Sequence, residues 1–393
     1  MSSDPSPGPA AVEGRLRRSE GVLLAGFLDG ACAYDLLTDR VHLLGPAAAR
    51  LLERLPLELD ELVSTARDVA GPDVADPEDE VLGGVQALVA LGVVGRTATW
   101  SRPEPVGGST HDPAGRRIGA SHDLLDRVVA FRSHDPELLA AIDDFIGVSR
   151  SDAPPDVFFD ADPRADGGID LHAAETWEFP NRSGFFAQLP GVVHDAAARS
   201  DSSLVLHAGA VRTPDGRVVL LPAASEHGKS TLVAALVQAG CDYLGDEMTG
   251  VRAGSLAAVA CPTPLALDDV SRSVLGLASS PSPSPSPSPH TDPRALRADV
   301  RCLRGEVGPV SEIVVPAFAP DAERSVEPLA PVDALRALLT HATNLHRGGD
   351  AGFRALCDLA ANVPVTRIVH GDSPALARSI IGGASAIGAS RSG

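Results

Sequence analysis

The sequence predicts an α+β N-terminal domain of winged-helix type and a C-terminal α/β domain. Three short strand patterns followed by three amphipathic helix patterns predict the first domain. Residues 218–231 predict the second, because an apolar strand, a short loop and the start of a helix follow one another there and include Gly228-Lys229-Ser230. A further apolar strand that ends on Asp246-Glu247 favours the same fold class.

Composition and charge are typical of a globular protein and disfavour two classes of partner. The 393 residues suffice for two or three domains, and 44% of them are hydrophobic while 22% are charged. A net charge of −19 disfavours nucleic acids and membrane surfaces, since both are polyanionic. We expect a cytoplasmic protein, because no signal-peptide pattern or transmembrane run occurs. No metal-ligand spacing connects the five cysteines, which are Cys32, Cys241, Cys261, Cys302 and Cys357.

The N-terminal domain is predicted over residues 15–97. Short strands are expected at residues 21–27, 31–37 and 40–44, each bounded by turn residues. Helices are expected at residues 47–55, from Asp60 to Val69, and from an N-cap at Asp76 that is followed by proline and acidic residues. The chain then turns back into a strand at residues 91–94.

This part of the chain resembles the PqqD family, the peptide-recognition elements of ribosomal peptide modification. The resemblance is carried by DRVHLLGPAA at residues 39–48, by DEVL at 79–82 and by LVALGVV at 88–94. It implies that the leader of a precursor peptide binds as an added strand between a sheet edge and a helix. A DNA-binding winged helix is disfavoured by six acidic residues on the candidate recognition helices, and a structural cap without a ligand stays open.

A linker is predicted at residues 98–116, followed by a lead-in segment of the second domain at residues 117–203. Strands are expected at residues 128–132, 157–159 and 177–179, and helices from Asp135 and at residues 185–198. No catalytic constellation is recognisable in this segment. We therefore expect a layer that packs on the nucleotide-binding part.

The loop before Lys229 predicts a phosphate-binding site. Backbone N–H groups and a helix N-terminus surround phosphates in such loops, while the lysine reaches the outer phosphates. Lys229 is the only lysine of the chain, which favours a dedicated role over a chance Gly-Lys-Ser. Alanine stands at position 223 where the motif expects glycine. The predicted phosphate-binding residues are Ala224, Ser225, Glu226, His227, Gly228, Lys229, Ser230 and Thr231.

Acidic residues at the end of the next strand predict a magnesium site. In phosphate-loop proteins the loop hydroxyl and a strand-terminal acid both contribute to Mg²⁺ binding. Ser230 and Asp246 are the corresponding candidates here. The alternatives are a solvated turn at Asp246-Glu247 and a helix-start serine with no metal contact.

Three blocks together resemble the HPr kinase family, particularly its relatives beside peptide-modification enzymes. They are HAGAV at residues 207–211, GKST at 228–231 and AGCDYLGDE at 239–247, with weaker echoes at 261–265, 313–316 and 328–335. The resemblance implies a phosphate-loop α/β fold related to phosphoenolpyruvate carboxykinases, over residues 204–381, and transfer of the ATP γ-phosphoryl group to a serine.

The same resemblance implies roles for individual residues. Lys229 would bind phosphate, Ser230 and Asp246 would bind Mg²⁺, and Asp246 and Glu247 would also activate the acceptor hydroxyl. His207 would lie near the transferred group, although a buried strand-end histidine is the alternative. Glu226 departs from the family, which has glycine there, and the segment associated with dephosphorylation is absent, so we expect no phosphorylase activity.

The last third of the chain carries weaker signals. Residues 279–290 alternate Ser and Pro and predict an extended insertion. A strand is expected at residues 313–315, helices at 333–339 and 353–361, and a closing strand at 366–369. Asn344, His346 and Arg347 are interpreted as a solvated helix end rather than as nucleotide contacts.

The sequence thus predicts a kinase that uses ATP and Mg²⁺ and phosphorylates Ser or Thr of a precursor peptide bound through its leader. Its expected partners are that peptide and other peptide-modifying enzymes. One alternative is a non-catalytic nucleotide-binding adaptor that presents the leader to another enzyme. A second is a small-molecule kinase with a vestigial N-terminal cap.

Overall fold

The computed structural model describes residues 15–58, 61, 66–71, 76–95, 115–173, 175–198, 200, 203–224, 227–277 and 290–383. Two compact units are present, one made of Met1–Pro103 with Gly349–Cys357 and one of Glu104–Gly348 with Asp358–Gly393. Most of the predicted linker and of the predicted Ser/Pro insertion lies outside the described residues. No helix in the described part of the chain is both long and apolar enough to cross a membrane.

The N-terminal unit combines antiparallel strands and helices, as the α+β prediction requires. Strands β2, β3 and β4 form one three-stranded sheet, and β5, β1 and β6 form another. Its elements are β1 Arg15–Arg18, β2 Val22–Phe27, β3 Gly30–Asp35, β4 Arg40–Leu44, α1 Pro46–Glu53, β5 Leu57–Glu58, α2 Ala66–Ala70, α3 Pro77–Ala90 and β6 Val94–Gly95. The predicted N-cap is confirmed, since Asp79 N donates to the side chain of Asp76. Strand β1 was not predicted, and Asp60 lies outside the described residues.

The second unit begins with a six-stranded sheet in the order β12-β11-β10-β8-β7-β9, in which only the β8 and β10 pairing is parallel. Its elements are β7 Arg117–Leu124, β8 Arg127–Ser133, α4 Pro136–Phe145, β9 Arg150–Ser151, β10 Val157–Pro163, β11 Ile169–His172, β12 Thr176–Phe179 and α5 Arg182–Ala198. Val205 and Val259 of the following sheet share the hydrophobic core of this one. The two sheets therefore pack as layers of one unit.

A nine-stranded mixed sheet forms the rest of the second unit. Its first elements are β13 Ser203–Leu206, β14 Ala208–Arg212, β15 Val218–Pro222, α6 Lys229–Gln238, β16 Asp242–Gly245, β17 Thr249–Arg252 and β18 Ala257–Val259. A separate pair of short strands and a helix come next, namely β19 Leu265–Ala266, α7 Asp269–Val274 and β20 His290–Thr291. The remaining elements of the unit are β21 Glu306–Phe318, β22 Ser325–Pro328, α8 Pro331–Leu339, α9 Leu345–Asn362, β23 Val365–His370 and α10 Ser373–Ile381. Strand β21 runs parallel to both β15 and β23, which agrees with the predicted α/β class.

Two predicted strands of this sheet and one predicted helix beyond it have different bounds. The predicted single strand at residues 204–211 is broken at His207, because β13 pairs with β17 whereas β14 pairs with β15 and β16. The strand predicted at residues 313–315 is the middle of the longer β21, which changes partners along its length. Helix α9 begins at Leu345, eight residues before the predicted start at Phe353, and includes a non-helical Gly349.

Candidate functional site

Three segments of the chain meet at one edge of the nine-stranded sheet. Strand β14 lies between β15 and β16 and is antiparallel to both, with Ala208 opposite Pro222 and Ala210 opposite Gly245. The beginning of β14 and the ends of β15 and β16 therefore lie at the same edge. This topology brings together His207, the loop after Pro222 and the acids after Gly245.

Helix α6 presents Lys229 to this edge. Gly228 is the N-cap of the helix and has a left-handed φ of 76°. A Cβ atom at Gly228 would lie 3.0 Å from Phe318 Cβ, so both the backbone conformation and the close neighbour require glycine. Lys229 follows directly and is only 4% exposed. Gly228 and Lys229 therefore lie at the N-terminus of a helix, and their binding of phosphate stays a prediction.

Two carboxylates neutralise the buried Lys229 ammonium. Its Nζ donates to the backbone oxygen of Asp246. The same atom lies 3.4 Å from Asp246 Oδ1 and 3.3 Å from Glu247 Oε1. One lysine facing two carboxylates leaves a local excess of negative charge, which favours binding of a phosphate together with a divalent cation rather than a phosphate alone.

Asp246 is suited to a metal ion. It is fully buried, and this burial raises the pKa of its carboxyl while Lys229 opposes the rise. Among the described residues its Oδ2 has no well-formed hydrogen bond, although the Ser230 hydroxyl acts to lower the pKa. A buried carboxylate oxygen without a good partner, beside a hydroxyl, fits Mg²⁺. No group of three or more His, Cys, Asp or Glu side chains that could hold a metal occurs in the described ranges.

His207 holds the carboxylate of Glu247, the second acid at the site. Its Nε2 lies 3.0 Å from Glu247 Oε2, and this contact lowers the pKa of Glu247 to about 2, with Lys229 adding to the effect and burial opposing it. His207 N donates to the backbone oxygen of His341 at 2.7 Å, and the two imidazole rings meet edge to face. His207 lies at the break between β13 and β14, so these contacts at the break set the orientation of its side chain.

Asn344 anchors the strand that leads to His207. It is fully buried, its Oδ1 accepts from Val205 N at 2.7 Å, and its Nδ2 donates to Ser200 O at 3.0 Å. Arg347 is also buried, with 5% exposure. The interpretation as a solvated helix end is therefore wrong for Asn344 and Arg347, whereas His346 is half-buried. Asn344 supports the backbone next to the site.

The remaining predicted loop residues fall into two groups. Ala224 and His227 are exposed, and the Thr231 hydroxyl lies 2.7 Å from that of Ser271. Ser225 and Glu226 lie outside the described residues, so their predicted role stays a prediction.

Several residues at or near the site were not predicted. His194 lies on α5, is 8% exposed, and its Nε2 lies 2.9 Å from Thr263 Oγ1. Burial lowers its pKa to about 4, while Glu247 acts in the opposite direction. His341 follows α8, and its pKa is likewise lowered to about 4 by burial. No local pattern marks these histidines, because their positions depend on how distant elements pack.

Comparisons with known proteins add little to this geometry. No protein-family model matches the sequence, and no curated protein matches it. Among solved structures, the Hpr(Ser) kinase/phosphatase from Coxiella burnetii is similar at 13% identity and a TM-score of 0.25, over 45% of this chain and 93% of that chain. A match with so low a TM-score carries no argument for this chain.

Proposed function

We propose that the protein is a kinase that uses ATP and Mg²⁺ to phosphorylate Ser or Thr of a ribosomally synthesised precursor peptide. One observation carries the proposal: Lys229, Asp246 and the His207–Glu247 pair come from three elements and converge at the end of a phosphate loop. Phosphoryl transfer needs mainly positioning and charge neutralisation, and this set offers a cation, a metal-binding acid and a second acid.

Each residue has a distinct task in this reaction. Bound ATP with Mg²⁺ supplies the phosphoryl group and part of the charge neutralisation. The N-terminus of α6 binds phosphate through its N–H groups, and Lys229 reaches the outer phosphates. Ser230 and Asp246 would hold Mg²⁺, which would neutralise charge on the phosphates. To reach the phosphates, the Lys229 ammonium must leave Asp246 and Glu247. Asp246 is then free for the metal, and Glu247 is free for the acceptor hydroxyl.

Glu247 is the base for the acceptor hydroxyl. His207 lies against Oε2, whereas Oε1 faces Lys229 at 3.3 Å. When Lys229 turns to the phosphate, Oε1 becomes available to take the hydroxyl proton as the new P–O bond forms and the bond to the ADP leaving group breaks. Loss of the neighbouring ammonium also raises the pKa of Glu247. A weak base suffices, because the phosphoryl group is transferred through a loose transition state.

The N-terminal unit offers an edge for a peptide strand. Within the described residues β4 pairs only with β3, so its outer edge is available. The outer edge of β2 is partly capped in the same unit, since Leu24 N donates to Asp350 Oδ1 at 3.0 Å. A leader that adds as a strand therefore has better access to β4. This supports, together with the sequence resemblance, a leader-binding role for this unit.

The single lysine of the chain permits a direct test. An acyl-phosphate derivative of ATP should acylate Lys229, ATP with Mg²⁺ should protect it, and labelled ATP should transfer its γ-phosphoryl group to the precursor. Lys229→Arg keeps the charge but should abolish transfer, whereas Arg336→Gln on the exposed face of α8 is the matched control. ATP protection without phosphopeptide would favour the adaptor, and no protection at all would contradict nucleotide binding.

A further inference from the structure

A cavity of about 510 Å³ opens beside the phosphate loop. His207, Ala223 and Ala224 line one side, residues 315–317 of β21 line another, and Arg367 of β23 is part of the wall. Its volume is in the range of small-ligand sites. Half of the lining residues are small and apolar, and the other half are histidine, threonine or arginine, which suits a peptide segment that carries both apolar and polar groups.

The cavity lies at the end of the site where the transferred phosphoryl group is expected. In a phosphate loop the helix start holds the inner phosphates, and the lysine reaches the outer ones. His207 lines the cavity and is the ion-pair partner of Glu247, whereas Lys229 and Glu247 themselves are not among the described lining residues. An occupant of the cavity therefore reaches the His207–Glu247 pair through His207.

Arg367 supplies a permanent positive charge to this cavity. His341 also lines it, but burial lowers the pKa of this imidazole to about 4, so it is neutral at pH 7. Arg367 Nη1 lies 2.9 Å from Glu327 Oε2, and both side chains are well exposed, at 44% and 62%. Exposed ion pairs contribute little, so an incoming carboxylate can replace Glu327.

We propose that this cavity is the acceptor site and that it selects a short extended peptide segment in which an acidic residue lies near the phosphorylated Ser or Thr. The proposal rests on the proposed kinase function. Arg367 binds the acidic side chain, and the Thr340 hydroxyl, which donates to Ala337 O at 2.8 Å, accepts a hydrogen bond from a peptide backbone N–H. His207 then contacts the acceptor segment, and Glu247 Oε2 lies 3.0 Å from His207 Nε2.

The test compares matched peptides and matched variants of the full-length protein. Peptides with the same leader carry one Ser flanked by either Asp or Asn. Arg367→Gln should raise KM for the Asp peptide about three- to tenfold and leave that for the Asn peptide unchanged. Glu327→Gln should lower KM for the Asp peptide about twofold, because it releases Arg367. Arg336→Gln, an arginine with a 71% exposed side chain on α8, should change neither value.

Separate outcomes contradict the inference and the proposed function. Equal phosphorylation of both peptides by the unaltered protein would overturn the acceptor site as described. A rise in KM with both Arg367→Gln and Glu327→Gln, for both peptides, would show that the ion pair is only structural. ATP-protected labelling of Lys229 without phosphorylation of either peptide would overturn the kinase function, and the acceptor site with it.

Discussion

At the scale of single residues, the candidate site contains a buried carboxylate whose burial is costly in stability. Asp246 is fully buried beside Lys229, and its Oδ2 lacks a good partner in the described structure. Such a carboxylate is costly to bury, since desolvation opposes the charged form. A metal ion bound to Asp246 Oδ2 would supply the missing partner of this carboxylate and explain its presence in the buried site.

Asp246→Asn should separate these two effects. We expect loss of the Mg²⁺ dependence of nucleotide binding and a fall in turnover of about 100-fold or more, because a neutral amide is a poor Mg²⁺ ligand. The melting temperature should stay the same or rise, since Lys229 keeps Glu247 and the backbone oxygen at residue 246. Mg²⁺ titrations of nucleotide binding and thermal melts measure both. An unchanged Mg²⁺ dependence would contradict the metal assignment.

His194 should make stability depend on pH. Its pKa in the folded protein is about 4, below the ordinary value of 6.5. Between these values the unfolded chain binds a proton that the folded chain does not, so stability falls as pH drops from 6.5 toward 4. His194→Gln should flatten this dependence by up to about 1.4 kcal/mol per pH unit. Chemical unfolding at several pH values measures the slope of stability against pH. As a control, His134→Gln at an exposed position should leave this slope unchanged.

At the scale of elements, strand β14 and helix α6 approach each other unusually closely. A Cβ atom at Gly209 would lie 2.5 Å from Val233 Cγ2, and a β-branched side chain in a helix has little freedom to move. Lys229 lies on the same helix and His207 directly precedes the same strand. The close contact therefore sets the distance between two functional side chains.

Gly209→Ala should destabilise the protein by about 1–3 kcal/mol through overpacking. Val233→Ala removes the clashing methyl group, so the double variant should be more stable than the sum of the two single effects predicts. Denaturant unfolding of all four proteins completes the cycle. Additive effects would show that the glycine is not required by this contact.

At the scale of the whole molecule, the proposal that a leader-binding unit is combined with a kinase unit predicts dependence on the leader. Tethering the acceptor through a leader corresponds to a millimolar effective concentration. Removing the leader from the peptide should therefore lower kcat/KM at micromolar peptide by about 100-fold, with little change in kcat at saturation.

A free leader added in trans should compete with the full precursor, whereas a scrambled leader should not. Initial rates over a range of peptide concentrations measure both effects. Equal kcat/KM for the two peptides would instead favour an N-terminal cap without a ligand.

Local sequence signals predicted the parts of the structure that depend on neighbouring residues. The strand at Val218–Pro222, the helix at Lys229–Gln238 and the acids directly after β16 all lie where the pattern placed them. The N-caps at Asp76 and Asp135 also follow from adjacent residues. These features could be predicted because hydrophobic period, capping and turn chemistry act over a few residues.

The tertiary structure alone decided which distant residues meet. The strand break at His207 depends on two different strand partners, and the burial of Asn344 depends on hydrogen bonds to residues about 140 positions earlier in the chain. The contacts of His194 and the cavity lined by His341 and Arg367 likewise join elements far apart in sequence. The sequence by itself determined the loop before Lys229 and the acids after β16, whereas packing between distant elements determined the contact of His207 with Glu247 and the shape of the cavity beside them. Local propensities carry no information about such non-local contacts.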